Sequence, residues 1–187
     1  GSLLVSTIMI LPAAIGMICT SDILIPIFSG KEFLSGSLAA KILSAKVVVG
    51  AINRILAYQI CIPYKKDKEV LISTVCGAVF NLFANAVLIP KFGVTGASVA
   101  TFFSEVVVFI VLTIYANQFF RTRILYTRAP IYFIASIWFF GIRYLMNIWF
   151  ENELWILVAT VSICVGGYFG GLLLIKDPYL KGVLGQF

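Results

Sequence analysis

The sequence predicts an all-α fold, a polytopic membrane bundle of six transmembrane helices, and three observations carry that expectation. Hydrophobic residues make up 61% of the 187 positions and charged residues 12%, with a mean hydropathy of +1.05. Soluble domains run at about 45–50% apolar and about 25% charged, and a chain of this size still exposes much of its surface on folding. The apolar residues gather into six runs, each near the length of about 20 residues that a membrane helix needs. Basic residues alternate by side between those runs.

The runs span about 8–28, 38–62, 70–89, 94–117, 129–149 and 154–175. Ser29-Gly30 is expected to end the first and Pro63 the second. Pro90 with Gly93 should form the tight turn between the third and fourth, and Asp177-Pro178 follows the sixth. Pro12 and Pro26 lie within the first run, where kinks are expected because neighbours can satisfy the freed carbonyls. All connections are short, so consecutive helices should run antiparallel. One set of loops holds Lys65, Lys66, Lys68, Arg121, Arg123, Arg128, Lys176 and Lys181; the other holds Lys31 and Lys91 with Glu32, Glu151 and Glu153. Eight basic residues against two place both ends of the chain in the cytoplasm. Trp149 and Trp155 flank the last outer turn as interfacial anchors.

Topology absorbs most of the net charge of +6, so no nucleic-acid partner is expected and membrane lipid is. Histidine is absent, which removes the usual proton shuttle and the commonest metal ligand. Cys19, Cys61, Cys76 and Cys164 form no CxxC pair and read as small buried hydrophobes. There is no Ser/His/Asp set, metal cluster or phosphate loop, so no enzyme activity, catalytic residue, metal or cofactor is expected. The chain opens inside an apolar stretch without an initiator Met or a cleavable signal, which suggests a fragment.

Polar residues inside apolar runs are the candidates for function, because charges there usually face a bundle interior or a wet cavity. Lys46, Gly50, Asn53 and Arg54 recur at i, i+4, i+7 and i+8, one face of the second helix. The functional reading is the wall of a cationic cavity for an anionic substrate; the other is internal ion pairing, with snorkelling for Lys41. Asn81 and Asn85 lie at i, i+4 on the third helix and read either as interhelical hydrogen bonds or as substrate contacts. Glu105 is read as the one acid well inside a run, with Arg54 as its expected partner or a coupling ion as its alternative. Arg143 and Asn147 lie near the outer end of the fifth helix. Gly93, Gly96, Ala97, Ala100 and Thr101 give the fourth helix a small face, and Gly166, Gly167, Gly170 and Gly171 give the sixth two overlapping GxxxG pairs.

The stretch from Asn81 to Glu105 reads NLFANAVLIPKFGVTGASVATFFSE. It pairs Asn85, Leu88, Ile89 and Pro90 with Phe92 and Gly93, then Gly96, Ala97, Ala100 and Thr101, then Ser104 and Glu105. This pattern resembles the C-terminal signature of polysaccharide flippases of the multidrug/oligosaccharidyl-lipid/polysaccharide exporter superfamily. Phe28–Phe33 and Gln59–Lys68 resemble that family's outer turn and inner loop, so the likeness covers about the first two-thirds of the chain. The resemblance implies that residues 1–187 are the C-terminal transmembrane lobe of a two-lobe exporter of the bacterial inner membrane, with the N-terminal lobe absent.

It further implies export of an undecaprenyl-pyrophosphate-linked oligosaccharide to the outer face by alternating access, for cell-surface polysaccharides such as lipopolysaccharide. Lys46, Asn53, Arg54, Asn81 and Asn85 would line the substrate cavity, though Lys46 and Arg54 align with no family motif. Glu105 would serve in coupling or ion pairing. Pro90, Gly93, Gly96 and Ala97 would serve in hinge and packing. Expected partners are the substrate, membrane lipid, the N-terminal lobe, and a glycan polymerase or glycosyltransferases. The alternatives are a cation-coupled multidrug exporter, a lipid II flippase of the same superfamily, or a non-transporting scaffold subunit of a glycan-synthesis complex.

Overall fold

Every element is helical among the described residues, which in the computed structural model are 2–33, 36–116, 138–149 and 152–174. Helix α1 (Ser2–Ser29) runs through both Pro12 and Pro26 and stops at Gly30, whose φ of 99° an L side chain rarely adopts. A 3-10 turn, Lys31–Phe33, follows. Helix α2 (Gly36–Ile55) passes into a π-helical stretch, Leu56–Cys61. A helical run Asp67–Ala116 is broken at Gly93 (φ 55°, ψ −130°), giving α3 (67–92) and α4 (94–116). Residues 138–149 form α5 and Glu153–Leu174 form α6. By length and composition Pro12–Ser29 and Asp67–Ala116 are apolar enough to cross a membrane. The expected residues 129–137, the basic residues Arg121, Arg123, Arg128, Lys176 and Lys181, and Glu151 and Asp177-Pro178 lie outside the described residues.

At both expected breaks the backbone shows how the turn closes. The second helix stops at Cys61 with Ile62 as its cap, directly before Pro63. The backbone N–H of Lys66 donates to the Cys61 carbonyl and that of Lys65 to Ile62, with Lys65 itself at φ 57°. This is the Schellman closure, in which a residue in the left-handed region stops a helix; proline is tolerated just before it because its missing N–H is not needed to close the turn. Of Pro90 and Gly93, expected together to form the next turn, Pro90 stays helical and the reversal falls at Gly93, since only glycine takes that backbone conformation without strain. At the start of α6 an unanticipated cap appears: Asn152 Oδ1 accepts the Leu154 N–H at 2.9 Å.

The described elements fall into two compact units, one holding α1, α5 and α6 and the other α2, α3 and α4. In the first, Ile15, Cys19 and Ile23 of α1 are buried at four-residue intervals, as are Ile156, Thr160, Cys164 and Tyr168 of α6. Phe139 meets Tyr168 edge to face at 6.2 Å. Among Gly166, Gly167, Gly170 and Gly171, close approach is confined to Gly167, where a Cβ would overlap the Trp138 ring; the other three have nothing within 4 Å. These helices also line an apolar cavity of about 330 Å³ whose lining includes Cys19, Thr160 and Tyr168.

In the second unit α3 and α4 fold back on each other. Asn81 meets Ser104, Gly77 meets Val108, and Gly96 meets Leu88, a register that only an antiparallel hairpin gives. Apart from Leu112, the buried residues of this hairpin are small: Ser73, Gly77, Gly96, Ser98, Ala100, Ser104 and Ala116. At the Ala116 end, Leu56, Ala57, Ile60 and Cys61 pack with Leu112 and Ala116. The large apolar side chains point outward instead, among them Leu82 at 69% exposure, Phe83 at 67% and Val94 at 70%. Small residues inside and bulky apolar ones outside is the arrangement a hydrocarbon solvent favours, because helices then associate by close packing and not by hiding apolar surface. Hydroxyls agree with that solvent. Ser44, Ser73, Ser98, Thr101 and Thr113 each donate to the carbonyl four residues back.

Candidate functional site

The polar stripe of α2 meets α4 at one residue. Lys46 Nζ lies 3.1 Å from Glu105 Oε1. Asn53 Nδ2 donates to Glu105 Oε2 at 2.7 Å and to the Glu105 backbone carbonyl at 2.9 Å. Between them, the Glu105 carboxylate stands 3.5 Å from where a Cβ on Gly50 would lie, so the small residue makes room for the acid. A helix turns about 100° per residue, which brings positions 46, 50 and 53 onto the same side. Asn53 is buried, and its Oδ1 has no partner. Lys46 and Glu105 remain accessible, at 28% and 24% exposure of their side chains.

Arg54, the expected partner of Glu105, is exposed, and the ion pair is made by Lys46. The reason is helical phase. Residue 54 stands about 100° around the helix from Asn53, which holds the α4-facing position.

Asn81 and Asn85 fall on a second polar line. Asn85 Nδ2 donates to Asn81 Oδ1 at 2.8 Å, Asn81 Nδ2 reaches Ser104 Oγ at 3.4 Å, and Ser104 Oγ donates to the Thr101 carbonyl at 2.8 Å. The Asn81–Ser104 contact crosses the hairpin, so Asn81 binds helix to helix, one of its two sequence readings, while Asn85 bonds within α3. Asn85 Oδ1 is buried without a partner. The structure thus joins Lys46, Asn53 and Glu105 in one cluster and Asn81 and Asn85 in another. Ser104 and Glu105, adjacent in sequence, each belong to one of them.

Gly96 and Ala97 lie just past the Gly93 reversal. A Cβ on Gly96 would overlap the Leu88 carbonyl, and the Ala97 carbonyl receives the Thr101 hydroxyl at 2.8 Å. Pro90 stands on the opposite arm, so all four residues shape the hairpin and contribute no charged or donor side chain. None of the four cysteines is in a disulfide; Cys19, Cys61 and Cys164 are buried, and Cys76 is exposed, contrary to its reading as a buried hydrophobe. Position 76 lies outside the narrow contact line of the hairpin that Ser73 and Gly77 occupy.

In the first unit, Arg143 donates to Asn147 one turn on along α5. The Asp22 carboxylate of α1 acts electrostatically on Arg143. Sequence reading passed over Asp22, although an acid inside an 18-residue apolar window was signal enough to raise it.

No family model and no solved structure matches the chain. It is similar to a protein described as a probable low-salt glycan biosynthesis flippase, Agl15 of Haloferax volcanii, at 26% identity over 171 residues, covering 89% of this chain and 34% of that protein. It is also similar to an uncharacterised membrane protein of Methanocaldococcus jannaschii, at 31% identity over 163 residues, covering 86% of this chain and 26% of the relative. The chain therefore spans about a third or less of the length of the curated relatives it matches. Together with the outward-facing apolar residues, these likenesses support a membrane location and a flippase-like membrane family.

Proposed function

We propose that this chain is one lobe of a membrane flippase that moves a lipid-linked oligosaccharide from the cytoplasmic to the outer face, in service of cell-surface glycan biosynthesis. The carrying observation is the Lys46–Asn53–Glu105 cluster, a charged and hydrogen-bonded site on helices that turn most of their large apolar side chains outward. The similarity to a protein named as a glycan biosynthesis flippase supports the same reading. The six spans, with both ends cytoplasmic, would form this lobe in a bacterial inner membrane or its equivalent, against a second lobe. The lipid tail would stay in the bilayer while sugar and pyrophosphate cross through the polar interior.

In this reading Lys46 and Arg54 provide positive potential for the pyrophosphate, undamped by water. The unpartnered carbonyl oxygens of Asn53 and Asn85 accept from sugar hydroxyls, and Asn81 holds Asn85 in place. Glu105 sets the charge of the site. Pro90, Gly93, Gly96 and Ala97 fix the short outer hairpin about which the lobe rocks. The activity is transport and not catalysis, with glycan-assembling enzymes as natural partners.

The test uses the full-length protein. Lys46→Ala with Arg54→Ala should reduce surface glycan while membrane insertion is kept; normal glycan in the double variant would sink the cationic-cavity reading. Cysteine labelling should find position 66 reachable from the cytoplasm and position 152 from outside, and the reverse result would overturn the orientation.

A further inference from the structure

The first unit carries a polar cluster that the flippase reading above leaves unused. Asp22 of α1 acts electrostatically on Arg143 of α5, and Arg143 donates to Asn147 one turn on. Asp22 and Asn147 are exposed and Arg143 is half-buried. Asp22 stands seven residues before Ser29, the end of α1, and Arg143 six before Trp149, the end of α5. Each therefore lies about 10 Å along its helix from that end. The long side chain of an arginine can snorkel toward the interface, but the short one of an aspartate cannot. Charges at that depth are costly against hydrocarbon, so the exposed side of the cluster faces water.

The helical period shows what stands beside it. At about 100° per residue, Arg143, Asn147, Phe140 and Tyr144 fall within a sector of about 100° of α5. That sector borders the face on which Phe139 and Ile142 are buried, and Phe140 and Tyr144 within it are exposed. Charged and amide groups thus share one accessible strip with aromatic rings.

We propose that this strip is a sugar-binding subsite, in which Asp22, Arg143 and Asn147 hydrogen-bond the hydroxyls of a pyranose in the carried glycan and Tyr144 stacks on its ring. This rests on the flippase reading, which supplies the glycan. The chemistry suits an uncharged polyhydroxyl ligand. A phosphate drawn by Arg143 would be repelled by Asp22. Neighbouring sugar hydroxyls satisfy both residues: they donate to the carboxylate, with its two acceptor oxygens, and accept from guanidinium and amide N–H groups. The Asn147 carbonyl oxygen is taken by Arg143, so this residue presents its two amide N–H donors. An exposed ring gives the flat apolar surface that the C–H face of a pyranose covers, and the tyrosine hydroxyl suits a wet edge.

The experiment measures binding of two ligands to the purified full-length protein in phosphatidylcholine nanodiscs. One is the native lipid-linked oligosaccharide extracted from the cells that make the protein; the other is polyprenyl pyrophosphate without sugar. The unsubstituted protein should bind both, the oligosaccharide more tightly. Tyr144→Leu with Asn147→Leu, which leaves Asp22 facing Arg143, should weaken the oligosaccharide by about tenfold, the scale of one or two hydrogen bonds. Asp22→Leu with Arg143→Met, which removes both charges together, should do the same. Binding of the bare pyrophosphate should be unchanged in both, which also shows that each variant is folded. Independently, Asn147→Cys on a Cys76→Ser background should react with a charged thiol reagent, and the oligosaccharide should slow that reaction. Oligosaccharide affinity unchanged in either folded double variant would overturn the subsite. An unreactive Asn147→Cys would place this face in lipid and overturn it as well, whether or not the double variants fold. Failure of the unsubstituted protein to bind either ligand would instead overturn the flippase reading, and the subsite with it.

Discussion

Asn53 grips Glu105 twice. A single amide nitrogen lies 2.7 Å from the carboxylate and 2.9 Å from the backbone carbonyl of a residue 52 positions away. The contact reads main chain and side chain together, so it fixes both where α4 sits against α2 and which way the carboxylate points. Replacing Asn53 by Ala should therefore cost about 1–3 kcal/mol of stability, because it leaves half-buried acceptors without their donor. Asn53→Asp should be worse, since it sets a second carboxylate against the first. Thermal unfolding of the full-length protein in detergent checks both, and an Asp variant as stable as the original would refute the contact.

The hairpin of α3 and α4 depends on absent side chains. Gly96→Ala would drive a methyl group into the Leu88 carbonyl, and Gly77→Ala would drive one into Val108. Each should destabilise by about 1–3 kcal/mol through overpacking. At Gly16 an added methyl group would have nothing within 4 Å, so Gly16→Ala is the internal control and should show no loss. Equal behaviour of all three in the same unfolding assay would remove the close approach.

Lys65 carries a backbone conformation that suits glycine, at φ 57°. Comparing Lys65→Gly with Lys65→Ala isolates that strain, because both delete the charge. The glycine variant should be more stable than the alanine variant by about 1 kcal/mol. Equal stability would argue against the Schellman closure at this turn.

Glu69, at the start of α3, titrates below its ordinary value of 4.5. The hydrogen bond from the Lys66 ammonium is the main cause, and its own backbone N–H adds to it. The sign follows from linkage. A carboxylate whose folded pKa is depressed contributes stability above its unfolded pKa and loses that contribution as pH falls through the folded value. The turn before α3 should thus be held fully above about pH 4.5 and loosen below it, and Lys66→Ala should move the Glu69 titration upward. Carboxyl-resolved NMR titration reads this; an unmoved Glu69 in the variant would dismiss the Lys66 contact.

Much of this was legible in the residues themselves. Helix locations and the alignment of Lys46, Gly50 and Asn53 on one side follow from hydropathy and from the 3.6-residue period, which are local properties. The small-residue spacing of the third and fourth helices pointed to close packing for the same reason. What periodicity does not encode is the phase of one helix against another. It placed Arg54 beside Glu105, where the fold puts Lys46. It does not show that Lys65 takes the left-handed conformation that closes the turn after Pro63, or that of Pro90 and Gly93 it is the glycine that makes the reversal. It leaves the two roles of Asn81 open, because the contact with Ser104 across the hairpin is a tertiary one.

The sequence by itself therefore determined an apolar helical chain with a few polar residues at fixed intervals, because composition and repeat are one-dimensional. The tertiary structure decided which of those residues meet. Glu105 has one carboxylate, and the rotation and depth at which α4 packs on α2 gave its two oxygens to Lys46 and Asn53 while turning Arg54 outward.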